Sequence, residues 1–241
     1  MSKNIRHSTI PPVGAKSSSH LPEKIQKAKE VLLDADKKFG KNMAIFWTGG
    51  KDSTVLLHII RDVFGEKLQF PILYLDTRLD FDEVYEFIDR LTKEWGLNLI
   101  TVRADDQMME KYNALKTKPE RVVLASQYKI VLLKKAVKDY NLPAVVIGIR
   151  RDEHKERINE EYSSPREDHV RIHPLLDWTE EDIWAYTREF KLPYISLYDK
   201  GYRSLGEKDF TEPAKPGGDE RSGRHKEREV IMKQLRAMGY F

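Results

Sequence analysis

Apolar residues along the chain fall into short continuous runs that alternate with longer stretches of three- and four-residue spacing. Strands are predicted for the runs at 43–47, 70–75, 97–102, 144–149 and 170–172. Helices are predicted for the spaced stretches at 22–39, 53–64, 81–95, 122–140 and 179–190. Strands that alternate with helices form parallel sheets covered on both sides. The pattern therefore predicts an α/β fold, an open, mostly parallel twisted sheet with helices on both faces.

The two ends of the chain break this alternation. Residues 1–20 are polar and contain Pro11, Pro12 and a serine run, so we expect a disordered leader. Residues 21–211 carry the alternating pattern and form the predicted α/β domain. Residues 212–241 begin with two prolines and two glycines and then turn helical at 224–238, which predicts a C-terminal linker and helical tail.

Composition narrows the chemistry. The 241 residues suit one domain, and the absence of cysteine excludes disulfides, thiolate-bound metals and a thiol nucleophile from this chain. No apolar stretch reaches the roughly 20 residues of a membrane span, and the start lacks a secretory signal, so a cytoplasmic protein is expected. The net charge of +3 comes from 42 basic and 39 acidic residues of mixed order. Such a surface gives no reason to expect a nucleic-acid partner.

The segment with the clearest chemistry is Thr48-Gly49-Gly50-Lys51-Asp52-Ser53, between the first predicted strand and its helix. Two glycines let backbone N–H groups turn toward an anion, and the helix start adds its positive dipole end. Lys51, Thr48 and Ser53 can supply further donors. The alternative is a plain strand-to-helix turn in which Asp52 or Ser53 caps the helix. A polyphosphate site is favoured because the segment follows a strand and opens a helix.

This segment resembles the S-G-G-x-D-S loop of the N-type ATP pyrophosphatases, with Thr48 in place of the first serine. The resemblance implies the adenine nucleotide alpha hydrolase-like fold and cleavage of ATP between its α and β phosphates. ATP and Mg²⁺ are the implied cofactors, and Asp52 is the expected metal contact, directly or through water. Lys51 and Asp52 are predicted to be catalytic through positioning and charge stabilisation.

Asp76 ends the second predicted strand and is therefore expected at the carboxyl edge of the sheet, where ligands of open α/β folds bind. It resembles the aspartate that follows this strand in sulfonucleotide enzymes. Those relatives often have glycine after the Asp-Thr pair, whereas Arg78 stands here. The alternative role is that of a charged residue merely leaving a strand.

A second basic segment runs from Gly148 to Arg157 after the fourth predicted strand. It resembles the A-R-R-D-E-x-K-x-R segment in the small subunit of bacterial sulfate adenylyltransferase, as do the tail segments 220–224 and 239–241. Guanidinium groups suit phosphate or sulfate because they offer two parallel donors. Gly148 is expected at the nucleotide, and the predicted substrate-binding residues of this segment are Arg150, Arg151, Lys155 and Arg157, the first two also catalytic. The alternative is a solvated run paired with Asp152, Glu153 and Glu156.

Residues 173–184 resemble the P-L-x-x-W-T-x-x-D-I-W signature that this subunit shares with phosphoadenosine phosphosulfate reductases and eukaryotic-type FAD synthases. Its predicted role is mainly structural: Thr179 caps a helix with Asp182, while Trp178 and Trp184 fill the core.

Residues 197–206 resemble the L-Y-D-x-G-Y-x-S-L-G segment of FAD synthases. We expect this loop to fold over the phosphate loop, with Lys200 and Arg203 facing the transferred group as substrate-binding residues. An ordinary surface loop is the alternative.

The resemblances imply an adenylyltransferase that releases pyrophosphate, foremost a sulfate adenylyltransferase-like enzyme. That reaction is uphill, and the related subunit is coupled to a GTPase, so a GTPase partner subunit is a candidate partner, and homo-oligomerisation stays open. The alternatives are FMN adenylylation, an ATP-dependent tRNA-modifying enzyme and a non-catalytic nucleotide-binding module. Reduction of a sulfonucleotide by a cysteine of this chain is excluded because the chain has none.

Overall fold

A computed structural model describes residues 20–226 of the protein. Most of the predicted leader and most of the predicted C-terminal helix lie outside these residues. The helices are α1 Leu21–Phe39, α2 Lys51–Phe64, α3 Asp82–Trp95, α4 Asp106–Ala114, α5 Lys118–Asp139 and α6 Glu180–Glu189. The strands are β1 Met43–Phe46, β2 Ile72–Asp76, β3 Leu99–Arg103, β4 Ala144–Val146, β5 Ser163–Pro165 and β6 Val170–Ile172. None of the helices in this part of the chain is both long enough and apolar enough to cross a bilayer.

The strands form one sheet in the order β3-β2-β1-β4-β6-β5. All neighbouring pairs are parallel except β5 and β6, which confirms the predicted mostly parallel α/β fold. The chain leaves β1 toward β2 and β3 and later returns to β4 on the other side of β1. In open α/β sheets such a reversal of strand order leaves a crevice at the carboxyl ends of the two strands. The loops after β1 and β4, which carry the two predicted basic segments, both border this crevice.

Alternating side chains of β1 enter different cores on the two faces of the sheet. Ile45 joins the larger core with Leu56 of α2 and Trp184 of α6. Ala44 and Phe46 face the other way and pack with Leu133 of α5. Helices therefore cover both faces, as the alternating pattern predicts, and the burial of both faces explains the continuous apolar runs of the strands.

The capping box predicted at α6 is confirmed: Thr179 Oγ1 accepts the N–H of Asp182, whose carboxylate accepts the N–H of Thr179 at 2.8 Å. Trp178 and Trp184 are buried as expected. A second capping box, between Thr117 and Glu120, starts α5 at Lys118, so the predicted start at 122 is four residues late.

Two elements escape the apolar pattern, and four strands are shorter than predicted, the strand predicted for 144–149 most of all. Helix α4 buries only Tyr112, which gives no helical apolar spacing. Strand β5 is Ser163–Pro165, and its proline is tolerated because β5 lies at the sheet edge. The strand predicted for 144–149 ends at Val146, although the N–H of Ile147 still donates to the carbonyl of Ile172 in β6 at 2.9 Å.

Candidate active site

The glycine loop after β1 has the backbone geometry expected of an anion site. Gly49 adopts a positive φ of 74°, and a Cβ at this position would lie 3.1 Å from the side chain of Ile88. Gly50 is the N-cap of α2, and having no side chain it cannot itself cap the first turn. The alternative prediction that Asp52 or Ser53 caps it is therefore wrong. Helix α2 begins at Lys51, so the backbone N–H groups of its first turn lie at the loop.

Hydroxyl groups hold the shape of this loop. Ser53 Oγ accepts the N–H of Thr48 at 3.2 Å and donates to the carbonyl of Gly50 at 3.0 Å. Thr48 Oγ1 lies 3.2 Å from Ser53 Oγ. Both hydroxyls also line the cavity described below. Thr48 thus supplies the hydroxyl that its position in the motif requires.

Lys51 is a buried cation at the start of α2, with only 3% of its surface exposed. Its Nζ lies 2.5 Å from Glu220 Oε1 and 3.1 Å from Asp52 Oδ2, and it donates to the carbonyl of Arg203 at 2.9 Å. Burial lowers the pKa of Lys51, but the charges of Asp52 and Glu220 outweigh burial and raise it above its ordinary value. The ammonium therefore keeps its charge inside the protein.

Arg150 is the second buried cation, and it has no exposed surface. Its Nε donates to Asp52 Oδ1 at 2.6 Å, and its Nη2 lies 2.6 and 2.8 Å from the two carboxylate oxygens of Glu220. Burial lowers the pKa of Arg150, and the neighbouring carboxylates of Asp52, Glu153 and Glu220 more than reverse that effect. Lys51 and Arg150 thus meet from opposite sides of the crevice and share two acidic partners.

Acidic groups complete this cluster. Asp52, Glu153 and Glu220 each have a carboxylate oxygen within 4.8 Å of the others, a donor set suited to a hard divalent cation. Burial raises the pKa of Glu153, but Arg157 and Arg150 pull it down to about 2, so this carboxyl stays ionised. Mg²⁺ that enters with a polyphosphate would find oxygen ligands in Asp52 and Glu153, with the phosphate oxygens supplying the rest.

The 197–206 loop covers the phosphate loop, which confirms one of its two predicted arrangements. Tyr198 is buried, and its hydroxyl accepts the backbone N–H of Lys51 at 2.9 Å. Burial raises the pKa of Tyr198 to about 12. The contact is made by a tyrosine that sequence reasoning did not single out, and the L-Y-D segment was the signal that could have found it.

Next to the cluster is a cavity of about 260 Å³. Residues of the phosphate loop border it, together with apolar side chains on the α5 face of the sheet, namely Phe46, Leu75, Ile130, Leu133 and Ile147. Arg157, Arg171 and His173 line it on the β6 side. Among the residues described, the cavity is thus lined by apolar side chains and by the guanidinium groups of Arg157 and Arg171. The apolar side chains suit a nucleotide base, and the guanidinium groups suit an anion.

Sequence reasoning missed Arg171 and His173. Both are almost completely buried. Within residues 20–226, His173 Nε2 has no hydrogen-bond partner, while Nδ1 contacts the carbonyl of Glu161 at 2.9 Å. Burial lowers the pKa of His173 to about 4, so the imidazole is neutral at pH 7. The available signal was their spacing, because alternate polar residues at 171 and 173 in an apolar strand share one face.

Gly148 is where the two loops touch. A Cβ atom on this residue would lie 3.3 Å from the carbonyl oxygen of Asp52 and from Cα of Ser53. The glycine therefore lets the loop after β4 approach the first turn of α2, where the loop N–H groups lie.

Comparison with known proteins identifies the family. A family profile described as the phosphoadenosine phosphosulfate reductase domain matches residues 42–213. The chain belongs to this family. It is 32% identical over 201 residues to adenosine 5'-phosphosulfate reductase of Halalkalibacterium halodurans, covering 81% of this chain and 85% of the relative. It is equally 32% identical over 215 residues to sulfate adenylyltransferase subunit 2 of Pseudomonas paraeruginosa, covering 78% of this chain and 68% of the relative.

Solved structures show the same fold at low identity. Phosphoadenylyl-sulfate reductase from Candida auris, in a phosphate complex, superposes with a TM-score of 0.64 at 19% identity, covering 81% of this chain and 98% of that one. FMN adenylyltransferase from Candida glabrata, in complex with ATP, superposes with a TM-score of 0.65 at 21% identity, covering 94% and 83%. The adenine nucleotide alpha hydrolase-like fold predicted from the loop motif is thereby confirmed.

The structure of this family member keeps Asp76 away from the cavity wall. Asp76 is completely buried and accepts hydrogen bonds from the N–H of Arg78 at 2.7 Å, from Tyr85 Oη at 2.9 Å and from Arg103 Nε at 2.6 Å. It therefore fixes the chain at the end of β2, and Leu75 is the neighbour that lines the cavity. Arg78 adopts a φ of 65°, the left-handed conformation that glycine adopts without strain.

Of the six predicted substrate residues, Arg157 lines the cavity, whereas Arg150 of the buried cluster and four others do not. Arg151 contacts Asp177 and donates to the carbonyl of Glu160 at 2.7 Å, and Lys155 is exposed. Lys200 lies 3.0 Å from Glu83.

Arg203 turns its guanidinium to Glu180, 2.5 Å away, and to the carbonyl of Gly218 at 2.8 Å. Lys200 and Arg203 thus do not face the buried cluster with their side chains, and only the backbone carbonyl of Arg203 reaches Lys51.

Proposed function

We propose that this protein transfers the adenylyl group of ATP to sulfate and releases pyrophosphate. The observation that carries the proposal is the convergence of Lys51 and Arg150, both buried and charged, at the start of α2. Two cations that grip the same carboxylate from two sides form a site for a multiply charged oxyanion. A polyphosphate is the ligand that matches a glycine loop, a helix N-terminus and two buried cations together.

In the proposed reaction a sulfate oxygen attacks the α phosphorus in line, and the bond from that phosphorus to the bridging oxygen breaks. Pyrophosphate leaves with the bonding electrons, so adenylyl sulfate and pyrophosphate are the products. Lys51 and Arg150 would hold the β and γ phosphates and take up the charge that develops on the leaving group. Asp52 and Glu153 offer oxygen ligands for Mg²⁺, which would neutralise phosphate charge. Positioning and electrostatics suffice for this chemistry, because phosphoryl and adenylyl transfer need no covalent help from the protein.

Sulfate is favoured as the acceptor for two reasons. A relative named sulfate adenylyltransferase subunit 2 shares 32% identity over 78% of this chain. In addition, two arginines, Arg157 and Arg171, border the same cavity as the phosphate loop. The reaction with sulfate is uphill, so we include in the proposal a GTPase partner subunit that drives it.

FMN is the second candidate acceptor. The apolar wall formed by Phe46, Ile130, Leu133 and Ile147 suits a planar ring, and FMN adenylyltransferase shares the fold. A protein that purifies yellow, or that releases pyrophosphate only with FMN, would favour this candidate.

The test is pyrophosphate release from ATP and Mg²⁺ by the full chain, with sulfate, FMN or no acceptor, and with Lys51→Met as the blank. A coupled pyrophosphatase removes the product and relieves the unfavourable equilibrium. Stimulation by sulfate, together with adenylyl sulfate in the product mixture, is the expected result. A parallel tube with adenylyl sulfate and a thiol reductant tests the reductase activity named for one relative. Sulfite in that tube, with no pyrophosphate in the others, would overturn the proposal.

A further inference from the structure

The carboxylate of Glu220 lies between the two buried cations, Lys51 of the phosphate loop and Arg150 of the loop after β4. Its Oε1 lies 2.5 Å from Lys51 Nζ, and Arg150 Nη2 donates to both of its oxygens at 2.8 and 2.6 Å. The side chains of Lys51 and Arg150 are 2% and 0% exposed, and that of Glu220 is 10% exposed. No further oxyanion can reach both cations while Glu220 holds this position, because its two oxygens already take the donors that converge there.

A short loop carries Glu220 to this place. The loop closes where Thr211 and Arg224 form an antiparallel bridge and where the N–H of Glu212 donates to the carbonyl of Gly223 at 2.9 Å. Between these ends lie two prolines and two glycines, and most of the residues from 212 to 219 are exposed. The base of the loop is thus fixed to the domain. Its remaining contacts with the domain include those of Glu220, the bond from Arg203 to the carbonyl of Gly218, and the bond from the N–H of Ala214 to the carbonyl of Gly201 at 2.9 Å.

We propose that Glu220 is an internal competitor of the polyphosphate, so that the 212–223 loop must lift off the site before ATP or pyrophosphate can bind. The inference rests on the proposed function only in taking the glycine loop as a phosphate site. The carboxylate stands in for one phosphoryl group, with two oxygens directed at the same two cations. A phosphate group that replaces it restores the pairing of Lys51 and Arg150, and Glu220 then becomes hydrated outside.

The energetic consequence is a lower apparent affinity for phosphate ligands. Without Glu220, Asp52 would be the one acidic partner among the described residues that the two buried cations still share. Withdrawing one carboxylate from such a cluster is costly, so the closed loop is the stable form of the free protein. A ligand that binds only the open form pays for opening, and its apparent dissociation constant rises by the inverse of the open fraction. Removing the charge of Glu220 raises that fraction, because an amide pairs less well with an ammonium and a guanidinium.

Calorimetric titration with inorganic pyrophosphate in EDTA tests this directly, with the full chain and its Glu220→Gln and Glu220→Ala variants. Asp219→Asn is the matched control, because it removes the same charge from the neighbouring, exposed residue of the same loop. We expect Glu220→Gln to bind pyrophosphate roughly tenfold or more tightly than the unaltered protein. Asp219→Asn should bind like the unaltered protein. Equal or weaker binding by both Glu220 variants would overturn the inference.

A titration in Mg²⁺ separates competition from metal binding. If Glu220 were instead a ligand of a phosphate-bound Mg²⁺, its variants would bind magnesium pyrophosphate more weakly, and that result would also overturn the inference. Thermal melting checks that the variants fold. Without ligand, the Glu220 variants should melt at a lower temperature than the unaltered protein. Pyrophosphate should raise their melting temperature by more than it raises that of the unaltered protein.

Amide hydrogen exchange provides the second measurement. Saturating pyrophosphate should speed exchange in peptides covering 212–223 of the unaltered protein while α6 stays protected, and unchanged exchange in the loop would contradict the opening step. The same measurements distinguish a failure of the proposed function from a failure of the inference about Glu220. Tighter pyrophosphate binding by Glu220→Gln without adenylyl transfer to any acceptor would reject the function alone. Equal pyrophosphate binding with adenylyl transfer would reject the inference alone.

Discussion

The carbonyl oxygen of Asp52 lies where a Cβ on Gly148 would approach it to 3.3 Å. Asp52 belongs to the first turn of α2, whose N–H groups face the phosphate loop, so the contact joins the loops after β1 and β4 at one point. A side chain at 148 would have to push the first turn of α2 or the Arg150 loop outward. The alignment of Lys51 with Arg150 thus depends on a glycine that carries no functional group.

Gly148→Ala should therefore weaken pyrophosphate binding by about tenfold and lower the free energy of unfolding by about 1–3 kcal/mol, as overpacked sites do. Calorimetry and urea unfolding measure the two effects. Gly65→Ala is the control at the other end of α2: Gly65 has a φ of 86° and no atom within 4 Å of an added Cβ. It should lose stability through its backbone conformation and keep the ligand affinity. Full affinity in Gly148→Ala would show that the close approach does not shape the site.

Arg150→Lys tests the bidentate geometry separately from the charge. Lysine keeps the positive charge but cannot contact Asp52 and a second anion in one plane, as the guanidinium of Arg150 does. We expect turnover to fall about 100-fold, in the range for loss of one group that stabilises developing charge. The measurement is pyrophosphate release at saturating ATP. The matched control is Arg90→Lys on the exposed face of α3, which should be indistinguishable from the unaltered protein.

The glycine loop with its charged residues Lys51 and Asp52 could be predicted from the sequence, because the strand, the turn and the start of the helix follow one another directly in the chain. Lys51 and Asp52 lie within the motif, and Arg150 follows the neighbouring strand, so parallel strands bring all three to one edge. Glu220 could not be found this way, because its contact with Lys51 spans 169 residues and begins from a loop without regular structure.

The side-chain directions of the adjacent residues Arg150 and Arg151 could not be predicted from the sequence. Arg150 has extended backbone angles, so adjacent side chains point in opposite directions. Arg150 consequently turns into the cluster, whereas Arg151 turns to Asp177 and the ring of Tyr162. Charge and spacing alone favour both arginines equally. The choice between them is made by the partners that the fold supplies on each side.

Arg78 offers a test of backbone strain at the end of β2. Its φ of 65° is costly for a residue with a Cβ, by about 1–2 kcal/mol, and its N–H is held by Asp76 at 2.7 Å. Arg78→Ala and Arg78→Gly both remove the exposed ion pair with Asp106, so their difference isolates the backbone term. We expect the free energy of unfolding of Arg78→Gly to exceed that of Arg78→Ala by about 1 kcal/mol. Urea unfolding of the two variants measures this difference. Equal stabilities would mean that this turn carries no strain.

His173 makes a prediction about pH. Burial lowers the pKa of His173 to about 4, while the unfolded chain has the ordinary value of 6.5. The folded state therefore favours the neutral imidazole, and below pH 6.5 the unfolded state binds more protons. The stability that His173 contributes is complete above pH 6.5 and is lost as the pH falls toward 4. The loss at that end amounts to about 3 kcal/mol.

His173→Asn is the informative variant, because an amide can still donate to the carbonyl of Glu161 but does not titrate in this range. Urea unfolding between pH 7 and pH 4.5 should show a shallower loss of stability than in the unaltered protein. His169 also has a pKa lowered by burial and pairs with Asp168, so His169→Gln serves as the comparison at the opposite end of β6. Glu153, with its pKa near 2, loses its contribution at lower pH and does not overlap this window. Parallel stability curves for His173→Asn and the unaltered protein would mean that another group controls the acid response.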